Sequence, residues 1–330
     1  MLSSLTWPIA ALHNADLGAR TTMRVGGRAE WLLEPATPDE FVLAVNAARE
    51  RGCEPRILGG GANLIVDDGL LPGVVIATDR IKRVFRPSGP QAAVEFEPAH
   101  DQANIAPADP AADPRLIAWC GASMPGLMQM ATALGLTGLE CLAGVPGHLG
   151  GGVVMNAGGR YGELWDVIEL VRVLERDGTL RDIARSEHQP RYRNGGLGEK
   201  IVLGAVLRLK HEGTAVVRER AKEYLLEKRR VQPVTEWSAG CVFKNPDKER
   251  AAGASAGLLI DRLGLKGRTR GDAIVSTLHG NFIVNRGKAT AADVLGLMEE
   301  LRSEVAERSG IVLESEWRIW RAGDVRPGPV

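Results

Sequence analysis

This chain of 330 residues is short of several things, and each shortage closes a door. Basic and acidic side chains balance at 41 each, so no charge excess points to nucleic acid or another polyanion as a partner. No apolar run reaches the roughly 18 residues of a membrane span, and no basic stretch leads into a long apolar core at the N-terminus. Neither a membrane anchor nor a secretory leader is expected; the protein is expected in the cytoplasm, as a monomer. Only four cysteines occur, Cys53, Cys120, Cys141 and Cys241, with no Cys-x-x-Cys spacing. They read as free thiols in a reducing compartment, and no metal site is expected. The nucleotide motif Gly-x-x-x-x-Gly-Lys-[Ser/Thr] is missing, and a strict Gly-x-Gly-x-x-Gly opening a helix fits poorly.

What the chain does have is glycine, 40 residues of it, concentrated in two runs. The first is Leu58-Gly59-Gly60-Gly61-Ala62-Asn63-Leu64. The second, from Gly144 to Gly159, includes Val145, Pro146, Gly147, Gly151, Gly152 and Asn156. Glycine reaches positive φ and lets the backbone approach a ligand closely, and successive exposed N–H groups make a seat for phosphate. Tight turns between strands would explain one such run. A pair with apolar flanks fits better as the grip on one long, phosphate-bearing cofactor.

Around the first run, residues 28–80 read as small α/β units. Thr37 caps a helix with Pro38 at its first position and Glu40 closing a capping box, and Phe41, Val45 and Ala48 fall on one face. Short strands are expected at 55–58, 64–66 and 74–77. Residues 86–114 carry six prolines and eight alanines without periodicity, so an exposed, flexible insertion is expected. Beyond it, a strand at 116–119, a helix near 125–134 and strands at 167–175 and 201–209 are expected. Val217–Arg230 reads as a charged amphipathic helix that ends at Pro233. The last third offers a helix at 254–263, a strand at 281–285, a helix capped by Thr290 and Asp293 and closed by Gly310, and an alternating strand over 311–320. Three ranges follow: 1–80 and 81–215 as two halves of one binding region, and 216–330 as a separate domain.

Four polar clusters stand out. Tyr192-Arg193 precedes the turn-like Asn194-Gly195-Gly196. Cys241 sits beside Gly240 and just before Lys244-Asn245-Pro246. His279-Gly280-Asn281 opens an apolar strand, and Glu314 and Glu316 share one face of the last strand by period two, along with Val312 and Trp320. Each has a plainer explanation: a surface ion pair for Arg193, a small buried hydrophobe for Cys241, turn residues at 279–281, solvated carboxylates at 314 and 316.

A resemblance links them. Thr22-Met23-Arg24-Val25-Gly26-Gly27, the two glycine runs, Gly240-Cys241-Val242-Phe243-Lys244-Asn245-Pro246, Leu263-Gly264-Leu265-Lys266-Gly267, the 279–285 segment and Leu313-Glu314-Ser315-Glu316-Trp317 resemble, in order, the motifs of the UDP-N-acetylenolpyruvoylglucosamine reductases. The glycine motifs are shared with a wider class of FAD-binding oxidoreductases; the later motifs are specific to this family. The resemblance implies an α+β fold, with two α/β subdomains holding FAD and a C-terminal α/β domain binding a UDP-sugar. It implies NADPH as reductant, hydride delivery to the enolpyruvyl C3 and protonation at C2. The short stretch between Arg193 and Cys241 resembles the family's second type.

Residue by residue, the resemblance implies that Arg24, Val25, Gly26 and the two glycine runs contact FAD. It implies that Arg193 stabilises charge on the carboxylate-conjugated intermediate and that Glu316 works at protonation. Tyr192, Lys244, Asn245, Lys266, His279 and Asn281 are implied to line the substrate pocket. Two positions depart from the pattern. Cys241 stands where the family's proton donor is a serine, and Gly195 where the family often has serine. A thiol, with an ordinary pKa of about 8.5, is protonated at neutral pH and is a better acid than an alcohol, so Cys241 suits the donor's task. Two other functions stay open at this level: an FAD-dependent oxidase or dehydrogenase of a sugar or hydroxy acid, and a flavin-binding protein without turnover.

Overall fold

The computed structural model describes residues 6–87, 96 and 111–324. They form two compact units, each assembled from separated stretches of chain. Unit 1 comprises Met1–Ala11, Leu33–Gly60 and Ile76–Glu227, and unit 2 comprises Leu12–Leu32, Gly61–Val75 and Lys228–Val330. Six helices are α1 (Pro38–Glu50), α2 (Met124–Ala133), α3 (Leu149–Met155), α4 (Thr214–Val231), α5 (Ala256–Arg262) and α6 (Ala291–Ser309). Among the described residues no helix is long and apolar enough to cross a membrane.

Unit 1 is built on a five-stranded antiparallel sheet. Its order is Leu180–Ala184, Ile168–Leu174, Ile201–Arg208, Arg115–Trp119 and Val84–Phe85. Leu116, Val171, Val173, Ala205 and Leu207 form one core with side chains of α2 and α3. The edge strand Leu180–Ala184 is not foreseen from sequence: three of its five residues are exposed, so it has no continuous apolar signal. In α1, the hydroxyl of Thr37 accepts from the Glu40 N–H at 3.1 Å. The Glu40 carboxylate reaches the N–H of Ala36 at 2.7 Å, one residue before the expected partner.

Unit 2 gathers its core around α6, whose Val294, Leu297, Met298, Leu301 and Val305 are all buried as the spacing predicts. Thr290 and Asp293 close both arms of the capping box, and Gly310 ends the helix at φ 71°. An antiparallel sheet of Thr269–Arg270, Ala273–Val275 and Ile283–Asn285 packs with it.

Three expectations need correction. Most of the segment 86–114 lies outside the described residues, but its described parts are built into unit 1. Arg86 and Asp113 are buried, and Arg86 donates to the Asp113 carbonyl. Asp113 also holds Arg115 at 2.6 Å. Phe96 is buried, 5.1 Å from the Trp119 ring and under the Arg172 guanidinium. The proline and alanine bias hides these three anchors. The second correction concerns Gly150, Gly151 and Gly152, which are helical in α3 despite a cost of about 1 kcal/mol each relative to alanine. Close packing explains two of them: a Cβ on Gly150 would stand 3.0 Å from Cys120, and one on Gly152 3.1 Å from Leu164. The third is 311–320, where regular strand is confined to Arg318–Trp320, paired parallel with Leu64–Val66. Trp320 is buried while Val312 is exposed, so the two do not share a face.

Candidate functional site

In unit 1 the two glycine runs touch. A Cβ on Gly60 would lie 2.7 Å from the Gly147 Cα, so glycine at 60 is demanded by that contact. Gly59 and Gly151 are different. A Cβ would meet nothing nearer than 3.9 Å at Gly59 and nothing within 4 Å at Gly151. Packing within the protein therefore does not require glycine there, and the open room beside both backbones fits a cofactor lying against them. Among the described residues, nothing accepts a hydrogen bond from the N–H of Gly60 or Gly61. Such donors suit the oxygens of a diphosphate.

The far end of the second run holds the Tyr192-Arg193 turn. Asn156 has left-handed φ of 46° and a fully buried side chain. Its amide donates to Glu163 at 2.6 Å and to the Arg191 carbonyl at 3.3 Å, and its oxygen accepts from the Trp165 N–H at 3.3 Å. That side chain is committed inside the protein, bridging the run to the turn. Arg193 is itself left-handed at φ 55°, an unusual conformation for a side-chain-bearing residue. Its guanidinium donates to the Gly158 carbonyl at 3.2 Å and lies 4.9 Å over the Tyr192 ring. Gly195 donates to the Val154 carbonyl at 2.8 Å, and a Cβ there would stand 2.2 Å from the Val153 oxygen. The departure at Gly195 thus has a steric cause: this backbone path leaves no room for serine.

In unit 2, three extended segments lie side by side. Val242 donates to the Asn281 carbonyl at 2.9 Å, and Glu316 donates its N–H to the Val242 carbonyl at 2.8 Å. Lys244 donates its backbone N–H to Glu314 at 2.9 Å. Cys241, half-buried, pairs across from Phe282. This arrangement brings Cys241, Glu316, Lys244 and Asn281 together. The buried Asn281 amide bridges both backbone groups of Phe243, accepting at 2.9 Å and donating at 2.7 Å. Asn245 accepts from the first N–H of α5 at 3.1 Å. His279 accepts through Nδ1 from the Asn281 N–H, and burial first, then the nearby Lys266 charge, holds its pKa below the ordinary histidine value. Lys266 is paired with Asp261 at 2.8 Å, and the Lys244 ammonium with Glu314.

The end of the first glycine run is part of the same framework. Asn63 donates to the Glu316 carbonyl at 3.0 Å. Gly61 has φ 59° and would put a Cβ 2.3 Å from the Arg20 oxygen. Thr22 donates to the Ser238 carbonyl at 2.7 Å, and Asn285 to that of Met23 at 3.0 Å. They seat the 22–26 segment, in which Val25 is buried, Gly26 has φ 132° and Arg24 donates to the Ala19 carbonyl. Arg193 belongs to unit 1, and Cys241 and Glu316 to unit 2. Sequence reasoning passed over His148, Thr78 and Asp79, which meet beside the joined glycine runs. His148 stands inside the second run, where the eye counts glycines.

Two family models match the chain: an FAD binding domain over residues 29–184, and the C-terminal domain of UDP-N-acetylenolpyruvoylglucosamine reductase over residues 232–320. The UDP-N-acetylenolpyruvoylglucosamine reductase of Moorella thermoacetica is 37% identical over 317 residues, covering 96% of this chain and 95% of that protein. That of Deinococcus radiodurans is also 37% identical, over 94% and 96%. The crystal structure of the enzyme from Thermus caldophilus superposes with a TM-score of 0.69 at 36% identity, covering 96% of this chain and all of that one. The fold is the α+β FAD-binding fold with a C-terminal domain. The chain belongs to the UDP-N-acetylenolpyruvoylglucosamine reductase family, and it is an FAD-containing oxidoreductase that reduces that UDP-sugar.

Proposed function

We propose that NADPH is the reductant, that Cys241 delivers the proton to C2 of the enolpyruvyl group, and that the product is UDP-N-acetylmuramate for peptidoglycan precursor synthesis. FAD, held by the two glycine runs, would supply the hydride chemistry that links NADPH to the substrate C3. The protein's part is positioning and proton handling. Arg193 opposes the negative charge that builds on the carboxylate side of the substrate. The Cys241 thiol holds its proton until that charge develops and then gives it up. Glu316 sits on the adjoining segment and serves the same step. Lys244, Lys266 and His279 carry charge or a titratable ring toward the UDP-sugar, with Tyr192, Asn245 and Asn281 shaping its surroundings. Residues 1–80 and 81–215 divide the work of holding FAD, and 216–330 that of holding substrate. The enzyme works as a monomer in the cytoplasm, with no nucleic-acid or membrane partner.

The observation that carries this assignment is the bond from the Glu316 N–H to the Val242 carbonyl, 2.8 Å, which lays the Glu316 segment beside the segment that bears the thiol. The test separates the two half-reactions. Cys241→Ala should let NADPH reduce the flavin at the wild-type rate. Reoxidation by the enolpyruvyl substrate should slow by about 10²–10⁴, the ordinary scale of general acid catalysis. Cys241→Ser should retain substantial turnover. Stopped-flow spectra read both steps; reoxidation at the wild-type rate in Cys241→Ala would remove the thiol from the mechanism.

A further inference from the structure

His148 is the one titratable side chain inside the second glycine run. Its ring abuts the first run: a Cβ on Gly60 would stand 3.0 Å from the ring Cδ2, and one on Gly59 3.9 Å from the His148 Cβ. The Nδ1 atom lies 3.3 Å from the Thr78 hydroxyl. That hydroxyl has a single proton, and it donates it to the Leu58 carbonyl at 3.2 Å. While that bond is kept, Thr78 accepts from an Nδ1–H; if the hydroxyl turns to Nδ1, the ring proton sits on Nε2. Asp79 stands 3.8 Å from that Nε2.

Among the described residues the charges around the ring are few. The glycine runs contribute none, and the Ser123 segment, which pairs with His148 across a β-bridge, contributes none at the contact. The turn that carries Thr78 contributes Asp79. Burial holds the His148 pKa below the ordinary value of 6.5, and Asp79 pulls weakly the other way. In the protein alone the ring is thus neutral at pH 7, with the Asp79 carboxylate 3.8 Å from Nε2. A diphosphate seated against the two runs brings two further negative charges to the same ring edge, and these favour the charged imidazolium.

We propose that His148 takes up a proton when FAD binds, so that the affinity of this protein for its cofactor is proton-linked. The proposal rests on the joined glycine runs being the seat of the diphosphate. A protonated ring would bridge two anions that otherwise repel each other, the Asp79 carboxylate and the cofactor. The sign follows from linkage. The pKa of His148 is higher in the complex than in the free protein, so binding is strongest below the free-protein value. It weakens as pH rises and levels off above the value in the complex. Each unit between the two values is tenfold in affinity. The diphosphate diester of FAD has no proton of its own to lose in this range, so the dependence belongs to the protein.

The test measures FAD binding to the full-length, flavin-stripped protein between pH 5.5 and 8.5 by quenching of flavin fluorescence, alongside His148→Gln. Glutamine keeps a donor for Thr78 and cannot titrate. The wild-type dissociation constant should rise about tenfold across this range, and that of His148→Gln should stay flat. Calorimetry of the wild-type protein in buffers of different ionisation enthalpy should count a fraction of a proton taken up per FAD, which requires no variant to fold. A flat wild-type profile, zero proton uptake, or an unchanged slope in His148→Gln would overturn the proposal. Gly60→Val and Gly147→Val serve as the check on its foundation. Undiminished FAD affinity in well-folded forms of both would show that the diphosphate sits elsewhere, a failure distinct from a diphosphate seat without proton linkage.

Discussion

Unit 1 and unit 2 hold their site residues by different means. Around Arg193 the work is done by backbone shape. Asn156 and Arg193 are both left-handed, and Gly195 is pressed onto the carbonyls that end α3. Around Cys241 only Gly240 turns left-handed, at φ 75°, and it is side-chain amides that tie the neighbouring segments together. Asn281 clamps Phe243, Asn63 holds Glu316, and Asn285 holds Met23. In the first case a methyl group in the wrong place is ruinous. In the second the loss of one amide leaves buried backbone groups without partners. Two kinds of substitution should therefore damage the two units in distinguishable ways.

The largest effect is expected in unit 1, where the contact is pure packing. Phe96→Ala should cost about 3–5 kcal/mol, because the ring fills space between Trp119 and Gly204. Urea denaturation measures it. A loss under about 1 kcal/mol would mean that the segment around Phe96 contributes nothing to the sheet and can be cut away, as its composition suggests. Next, Gly195→Ser should cost about 3 kcal/mol, since its Cβ has to displace the Val153 carbonyl or move the Arg193 turn. If this variant were as stable as the parent, shape would not be what holds Arg193, and the contrast between the units would fall.

Much of this was legible in the sequence, for reasons that can be named. Thr37-Pro38 and Thr290-Asp293 announce helix starts because capping is local chemistry within four residues. The buried stripe of α6 is legible because its spacing matches the helical period. The glycine runs point to a cofactor, but the helix inside the second run does not show, because what permits it is close packing against Cys120 and Leu164, remote in sequence. Phe96 was hidden for the same reason. Within the site, the residue types at 193, 241 and 316 come from resemblance, whereas the left-handed turn at Arg193 has no local sequence signal. His148 was visible as a letter; its partners Thr78 and Asp79, seventy residues away, were not.

The smallest effects come from unit 2, and there the comparison can be sharpened with one pair of substitutions. Asn281→Ala removes two bonds to a buried backbone and should cost about 2 kcal/mol. Lys244 is near it in the same array but does a different job. Its ammonium pairs with Glu314, a carboxylate that is 75% exposed. A pair so open to solvent contributes little to stability, so Lys244→Met should change it by less than about 1 kcal/mol. If Lys244 meets the UDP-sugar, the same substitution should raise KM for that substrate at least several-fold while NADPH reduces the flavin at an unchanged rate. Asn281→Ala should show the reverse balance, a clear drop in the urea midpoint with KM affected only through looser positioning of the Cys241 segment. Measuring midpoint and KM for both variants separates the structural clamp from the charged contact. Equal stability losses in the two would mean that Lys244 is held as tightly as Asn281 and belongs to the framework rather than to substrate recognition.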